Sequence, residues 1–436
     1  MSKSPSKLST RPYKGTRDFY PDEMRLREKI FYAFRQTLLS FGYEAYDGPM
    51  LESFDLYAAK SGEEIVNEQL YSFEDRGGRK VALRPEMTPT LARMVAAKGA
   101  ELPRPIRWFS QPNLWRYERP QRGRLREHWQ LNVDLLGIDS EVAEVEIVQV
   151  AIALMRSFGA GIEDFEVKIN HRQLMNDLFD NVMNLSAEHV PDVARAIDKR
   201  AKIPPEKFHE LLSAAGCDAT QIETLDRFLN ASLMDLEEML GESKGFQSLC
   251  AFFDQVNALG LGSVCRFDPS IMRGLDYYTG IVFEMFDKHP DNRRALFGGG
   301  RYDNLVGMFG GQSISGVGFG MGDVTFKDFL DTHGLLPAVT APTDVLVGLF
   351  NEDMLTPSLR VASDLRGAGF RVESVLTSQK LGKQFQSADK KGIPFVLMLG
   401  PDEAEAGVIS VKHLASGQQE QVSLPELANY LQNFNV

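Results

Sequence analysis

The sequence predicts a large α+β body that carries a helical insertion and is followed by a compact α/β tail. Three observations predict it. Short strand-like runs separated by Gly, Pro and charged turns fill residues 42–137 and return at 273–306. From about 171 to 260 the apolar spacing is almost purely helical. After 344, short apolar runs alternate with helix-length segments, the texture of a small parallel sheet. The length of 436 residues fits two to three domains at ~150 residues each.

Residues 1–21 form an extended leader rich in Ser, Pro and basic residues. Met24, Ile30, Phe31, Phe34, Leu38, Leu39 and Phe41 then recur at helical spacing until Gly42 ends the run. GYEAYDGPMLE (42–52) reads as one strand. Its Pro49 cannot donate to a ladder, which predicts an edge or interface position. Residues 70–76 and 80–84 flank Gly77 and Gly78 as a hairpin, and a helix is expected from Thr88 to Lys98. RWFSQPNLWRYE (107–118) and REHWQLNVDLLG (126–137) read as two strands joined by the turn-rich RPQRGR. A helix over 141–158, a strand over 165–170, the helical insertion and a strand over 273–286 follow.

The body is therefore expected to span 1–330, with a linker at 331–343, where two prolines and a glycine cluster. The tail occupies 344–436: strands DVLVGLF, FRVESVL and PFVLMLG with helices over 354–367 and 379–391.

Hydrophobic residues make up 43% and charged residues 25%, which excludes a disordered or collagen-like chain. Lys and Arg number 48 against 60 Asp and Glu, a net charge of −12. Such a field repels phosphate, so nucleic acid requires a local basic patch. Cys217, Cys250 and Cys265 form no CxxC pair and no metal-ligand spacing, as expected of packing residues in a reducing compartment. The polar N-terminus lacks a signal-peptide core, and no run reaches the ~18 apolar residues of a membrane span. A cytoplasmic location, with no membrane partner, is expected.

Between Arg104 and Arg126 stand seven arginines and one acid, Glu118. All three tryptophans, Trp108, Trp115 and Trp129, lie in or just after this stretch. Guanidinium forks take phosphate oxygens and aromatic faces stack on bases, so a phosphate or nucleic-acid site is favoured over a solvated charged hairpin. RGLDYYTG (273–280) offers one cation and two phenols, suited either to a small ligand with an anionic end or to cross-strand packing. FGGGRYDNLV (297–306) permits close backbone approach at its glycines, or simply a tight turn. The dinucleotide fingerprint, the P-loop, HExxH and GxSxG are all absent. A Rossmann enzyme, a P-loop enzyme, a zinc protease and an α/β-hydrolase are thereby disfavoured.

Together these segments resemble the class II histidyl-tRNA synthetase family over nearly the whole chain. LRPEMTPTLARM (83–94) resembles its substrate loop, and RYERPQRGRLREHWQLNVDLLG (116–137) its motif 2. MRGLDYYTGIVFE (272–284) and ALFGGGRYDNLV (295–306) resemble its two histidine-specific signatures, and GPMLE (48–52) stands in the place of motif 1. The tail resembles the family's anticodon-binding domain. The resemblance implies an antiparallel-sheet catalytic domain, a homodimer, ATP with Mg²⁺, L-histidine and tRNA(His).

It also implies roles. Glu86, Thr88 and Gln130 hold the substrate α-amino group. Asp134, standing where the family usually has Glu, faces the imidazole with Tyr278, and Tyr277 belongs to the same histidine site. Arg116 and Arg273 are the catalytic cations on the α-phosphate, and Arg124 reaches the ATP phosphates. Arg119, Gln121 and Arg122 approach the tRNA acceptor end. No metal-ligand set for Mg²⁺ is implied. One departure stands out. In GVGFGMGDVTF (316–326), Thr325 occupies the place of an arginine that contacts the ATP γ-phosphate, and Arg293, Arg294 and Arg301 are candidates to substitute. The alternative is a non-catalytic paralogue such as a histidine-sensing regulatory subunit of ATP phosphoribosyltransferase. Thr325 argues for it and the tail against it.

Overall fold

A computed structural model describes residues 8–59, 65–99, 101–200, 203–271, 278–292, 294–304, 306–310 and 313–434. The chain forms two compact units, Met1–Pro337 and Ala338–Val436.

The first unit is built on a nine-stranded sheet. Its strands are β1 (Glu44–Ala45), β5 (Ile106–Ser110), β6 (Asn113–Trp115), β7 (Glu127–Leu136), β8 (Phe165–His171), β9 (Cys265–Phe267), β10 (Ile281–Asp287), β11 (Ala295–Tyr302) and β12 (Gly316–Gly322). The order is β1-β5-β7-β12-β11-β10-β8-β9, with β6 paired to the start of β7. The six central strands are antiparallel, and only the edge pairs β1–β5 and β8–β9 are parallel. A smaller sheet joins β2 (Leu51–Ser53), β3 (Ser72–Glu74) and β4 (Lys80–Leu83) in the order β2-β4-β3.

Period-two alternation gives the large sheet two unlike faces. One carries Leu131, Val133 and Leu135 of β7, Val317, Phe319 and Met321 of β12, Phe283 and Met285 of β10, and Val167 and Ile169 of β8. These residues are buried in one core with Ile147, Val148 and Ala151 of the helix Val142–Arg156, Phe34 of the helix Pro21–Ser40 and Phe252 of the helix Lys244–Ala258. The other face is polar and carries few side chains. One row across it runs Asn132, Gly320, Gly298, Glu284, Lys168, and the neighbouring row runs Asp134, Gly318, Gly300, Val282, Asn170. Helices cover the first face and a cleft opens over the second.

The insertion is helical over Val190–Lys199, Pro205–Ala214, Ala219–Asn230 and Lys244–Ala258. The third of these starts from a capping box of Asp218 and Gln221, and the fourth from the Ser243 side chain.

Three sequence expectations need correction. GYEAYDGPMLE is not one strand: Glu44–Ala45 joins the large sheet and Leu51–Ser53 the small one, with Gly48 and Pro49 in the irregular segment between. RWFSQPNLWRYE likewise breaks at Gln111 and Pro112 into β5 and β6. Both splits follow from the donor that proline lacks. In the second unit, β13 (Val345–Val347), β14 (Val372–Ser374) and β15 (Phe395–Met398) are parallel as expected. An antiparallel hairpin of β16 (Val408–His413) and β17 (Gln419–Ser423) extends that sheet, in the order β14-β13-β15-β16-β17. The strand expected over 273–286 runs as Ile281–Asp287 where described, and residues 272–277 lie outside the described residues. Among the described residues no helix is long and apolar enough to cross a membrane.

Candidate active site

A cleft of about 1600 Å³ lies over the polar face of the large sheet. Its floor is made of glycine. Gly316, Gly318, Gly320 and Gly322 alternate along β12, and Gly298 and Gly300 stand beside them on β11. A Cβ at Gly318 would fall 2.3 Å from Asp134 Oδ1, at Gly320 2.2 Å from Gln130 Nε2, and at Gly316 2.5 Å from the Tyr302 ring. At Gly300 it would meet the Tyr278 ring at 3.2 Å. Glycine is needed here because side chains of the flanking strands lean across β12 and β11. The glycine backbone thus lets Gln130 and Asp134 lie over β12 and Tyr278 over β11, which brings their polar groups together on the cleft floor.

At one end of the floor Asp134 is buried, and the Tyr302 hydroxyl donates to its Oδ1 at 2.6 Å. Burial raises the Asp134 carboxyl to about 7, with the Tyr302 bond pulling the other way. A buried acceptor of this kind suits an N–H donor such as an imidazole. Gln130 donates from Nε2 to Asn132 Oδ1 at 2.7 Å, which orients both amides over the floor. Glu86 and Thr88 line the same cleft, Glu86 buried and Thr88 opening the helix Thr88–Lys98. Their segment is held by Arg84, whose Nε donates to Asn113 O and whose Nη1 donates to Asp47 Oδ1 and Gly48 O.

Motif 2 supplies the cations. Arg116 donates from Nε to Pro85 O and stands 3.9 Å from Glu118 Oε1, while Arg124 lies 3.6 Å from Glu118 Oε2. The mostly buried Glu118 thus holds two arginines toward one cleft. The connection is braced from behind. Arg126 stacks 4.0 Å over the Tyr117 ring, and its backbone N–H and that of Glu127 both donate to Gly15 O. His128 also lines the cleft; burial and the nearby Arg116 push its imidazole down to about 3, so it is neutral at pH 7.

The structure brings together Glu86, Thr88, Arg116, Gln121, Arg122, Arg124, Gln130, Asp134 and Tyr278 around this one cleft. Arg122 is tied to Asp328 at the rim at 3.0 Å, and the exposed Arg119 is not among the lining residues. Arg273, Tyr277 and Arg293 lie outside the described residues. Arg301 is not a cleft cation. It points into the core face, where Glu144 takes Nε and Nη2, Ser140 O and Ile138 O accept further bonds, and Ser315 Oγ accepts from Nη1. Strand alternation puts it opposite Gly300 and Tyr302, which face the site. Asn132, Tyr302 and Glu284 also line the cleft and were not singled out as site residues. The G-x-G-x-G-x-G spacing of 316–322 was the available signal, because a glycine-only strand face marks side chains crossing from its neighbours. Among the described residues no group of three metal-ligating side chains occurs.

Residues 15–323 match the family model described as histidyl-tRNA synthetase, and 344–434 match that of an anticodon binding domain. The chain is 46% identical over 422 residues to a histidine–tRNA ligase of Leptospira biflexa, covering 96% of this chain and 97% of the relative. It is 39% identical to the chloroplastic/mitochondrial histidine–tRNA ligase of Arabidopsis thaliana, covering 97% of this chain and 86% of that one. The crystal structure of histidyl-tRNA synthetase from Nostoc sp. PCC 7120 superimposes with a TM-score of 0.83 at 26% identity, covering 98% of this chain and 100% of that one.

Proposed function

The chain belongs to the histidyl-tRNA synthetase family, and from that premise we propose how its residues divide the work. It is an aminoacyl-tRNA ligase that uses ATP to attach histidine to tRNA. Activation is in-line attack of the histidine carboxylate on the α-phosphorus. The nucleophile is already ionised, so positioning and charge neutralisation suffice and no general base is required.

In our reading Asp134 accepts the imidazole N–H, with Tyr278 and Tyr277 completing that pocket. Tyr302 sets the Asp134 rotamer. Glu86, Thr88 and Gln130 receive the α-amino group. The glycine floor carries the planar parts of the adenylate. Arg116 and Arg273 neutralise the α-phosphate as charge builds, and Arg124 meets the remaining phosphates. Glu284 stands beside Gly298 on the floor, while the other floor carboxylate, Asp134, is bonded to Tyr302; one carboxylate plus phosphate oxygens is a donor set that fits Mg²⁺. Bound there, the ion would neutralise phosphate charge. Arg119, Gln121 and Arg122, on the turn at the rim, meet the acceptor end of tRNA(His).

The observation that carries this reading is the buried Asp134–Tyr302 pair over the glycines of β12, in a cleft that also holds Arg116 and Arg124. The regulatory-subunit alternative is not favoured, since the anticodon domain is matched and these relatives bear the ligase name. We also propose a cytoplasmic homodimer. The exposed Met50, Leu51 and Phe73 on and beside the β2-β4-β3 sheet support a self-association surface. Histidine-dependent exchange between ATP and pyrophosphate tests the activity, and light scattering tests the dimer. A folded chain that binds histidine without exchange at any ATP concentration overturns the ligase assignment.

A further inference from the structure

Five arginines line the cleft among the described residues: Arg116, Arg122, Arg124, Arg200 and Arg294. Four of them are engaged. Arg116 and Arg124 share Glu118, Arg122 pairs with Asp328, and Arg200 donates to Leu229 O and Asn230 Oδ1. Arg294 is exposed and has neither a hydrogen bond nor an ion pair with any described residue. The acids of its own turn are already committed. Asp287 accepts from His333 Nε2, the His289 N–H and Asn292 Nδ2, and Asp291 lies 3.8 Å from His289. Among the described residues Arg294 is therefore the one lining arginine whose guanidinium has no partner.

Its position is set by the sheet. The pairing of β10 with β11 shifts between Met285 and Phe286, leaving Leu296 outside the register as a bulge. The Leu296 carbonyl is taken by Thr325 Oγ1 at 2.9 Å. Arg294 lies just beyond the bulge, and a Cβ at Gly123 of the motif 2 turn would meet Thr325 Cγ2 at 3.3 Å, so both line the same end of the cleft. Asp134 is in register with Gly300 through Gly318, so six residues of β11, ~20 Å at strand rise, separate the imidazole end from Arg294. The floor runs between them.

We propose that Arg294 binds the terminal phosphates of ATP, supplying from the β10–β11 turn the cation that Thr325 cannot. The inference rests on the ligase reading above. The Glu118 trio has a net charge of only one positive unit and Arg122 is neutralised by Asp328, so a triphosphate at this end needs a further cation, and Arg294 is the lining arginine without a partner among the described residues.

The test is Arg294→Ala in the full-length chain. The KM for ATP in histidine-dependent pyrophosphate exchange should rise ~10- to 150-fold, the worth of a charge-assisted hydrogen bond. The KM for histidine, inhibition by AMP and the melting temperature should stay as in wild type, because AMP lacks the terminal phosphates. An unchanged KM for ATP overturns the assignment, and so does an equal weakening of AMP and ATP. Neither result touches the ligase reading, which fails only if the wild-type chain itself shows no exchange.

Discussion

Asp134 of β7 and Tyr302 of β11 meet at 2.6 Å over the top of β12, the strand that separates them in the sheet. They can do so because the residues of β12 in register with them, Gly318 and Gly316, have no side chains. A side chain at 318 would displace the carboxylate and one at 316 the phenol. The Asp134 carboxylate is thus fixed by three strands at once.

That geometry sets a pH dependence. Burial raises the Asp134 carboxyl to about 7, and the Tyr302 hydrogen bond favours the ionised form. With the carboxylate as the proposed acceptor for histidine, affinity should fall as pH drops through about 7. Tyr302→Phe removes the bond and should move this limb to higher pH. Dividing each profile by that of Asp134→Asn cancels the titration of histidine itself. A limb that stays in place in Tyr302→Phe removes the pair from histidine recognition.

The same group predicts a stability trend of stated sign. A carboxyl whose folded pKa lies above its unfolded value contributes stability below the unfolded value of 3.8, and that contribution is lost as pH rises through about 7. Asp134→Asn should abolish this loss, so its unfolding free energy relative to wild type should improve from pH 5 to pH 8. Urea denaturation at both pH values measures it.

Two glycines on neighbouring strands, one register step apart, should behave differently. A Cβ at Gly320 meets the Gln130 amide at 2.2 Å, the end of a side chain that can turn aside, whereas at Gly299 it meets Gly318 O at 2.1 Å. Gly320→Ala should fold and lose substrate binding. Gly299→Ala forces backbone apart in the core and should cost ~1–3 kcal/mol or more. Melting temperature and exchange rate together separate the two outcomes.

Arg301 and Glu144 form a buried ion pair with every guanidinium arm engaged. Removing one partner leaves the other charge buried alone, so Arg301→Ala should destabilise the chain by ~3–5 kcal/mol in urea unfolding. The KM for ATP of the folded fraction should not change. A selective ATP defect without loss of stability would restore Arg301 to the phosphate site.

On the tRNA side, Arg119→Ala should lower the salt slope of tRNA binding by ~1 and spare pyrophosphate exchange. Arg122 also anchors the motif 2 turn to Asp328, so Arg122→Ala should slow exchange as well as charging. Identical behaviour of the two variants would deny Arg122 its anchoring role.

The sequence by itself determined the α+β body, the helical insertion and the strand–helix alternation of the tail, because periodicity and turn chemistry are local. It also determined which stretch carries the arginines and which carry the glycine and tyrosine signatures. Only the tertiary structure decided what each arginine faces. Arg301 and Arg294 stand seven residues apart in one segment, yet strand alternation and a bulge send the first to Glu144 in the core and leave the second open to the cleft. Tyr302, Asn132 and Glu284 entered the site in the same way: their neighbours across the sheet come from 14 to 188 residues away, Gly298 for Glu284, Asp134 for Tyr302 and Gly320 for Asn132. No local pattern encodes such partners. They follow from sheet order and register, which the whole apolar face of the body decides together.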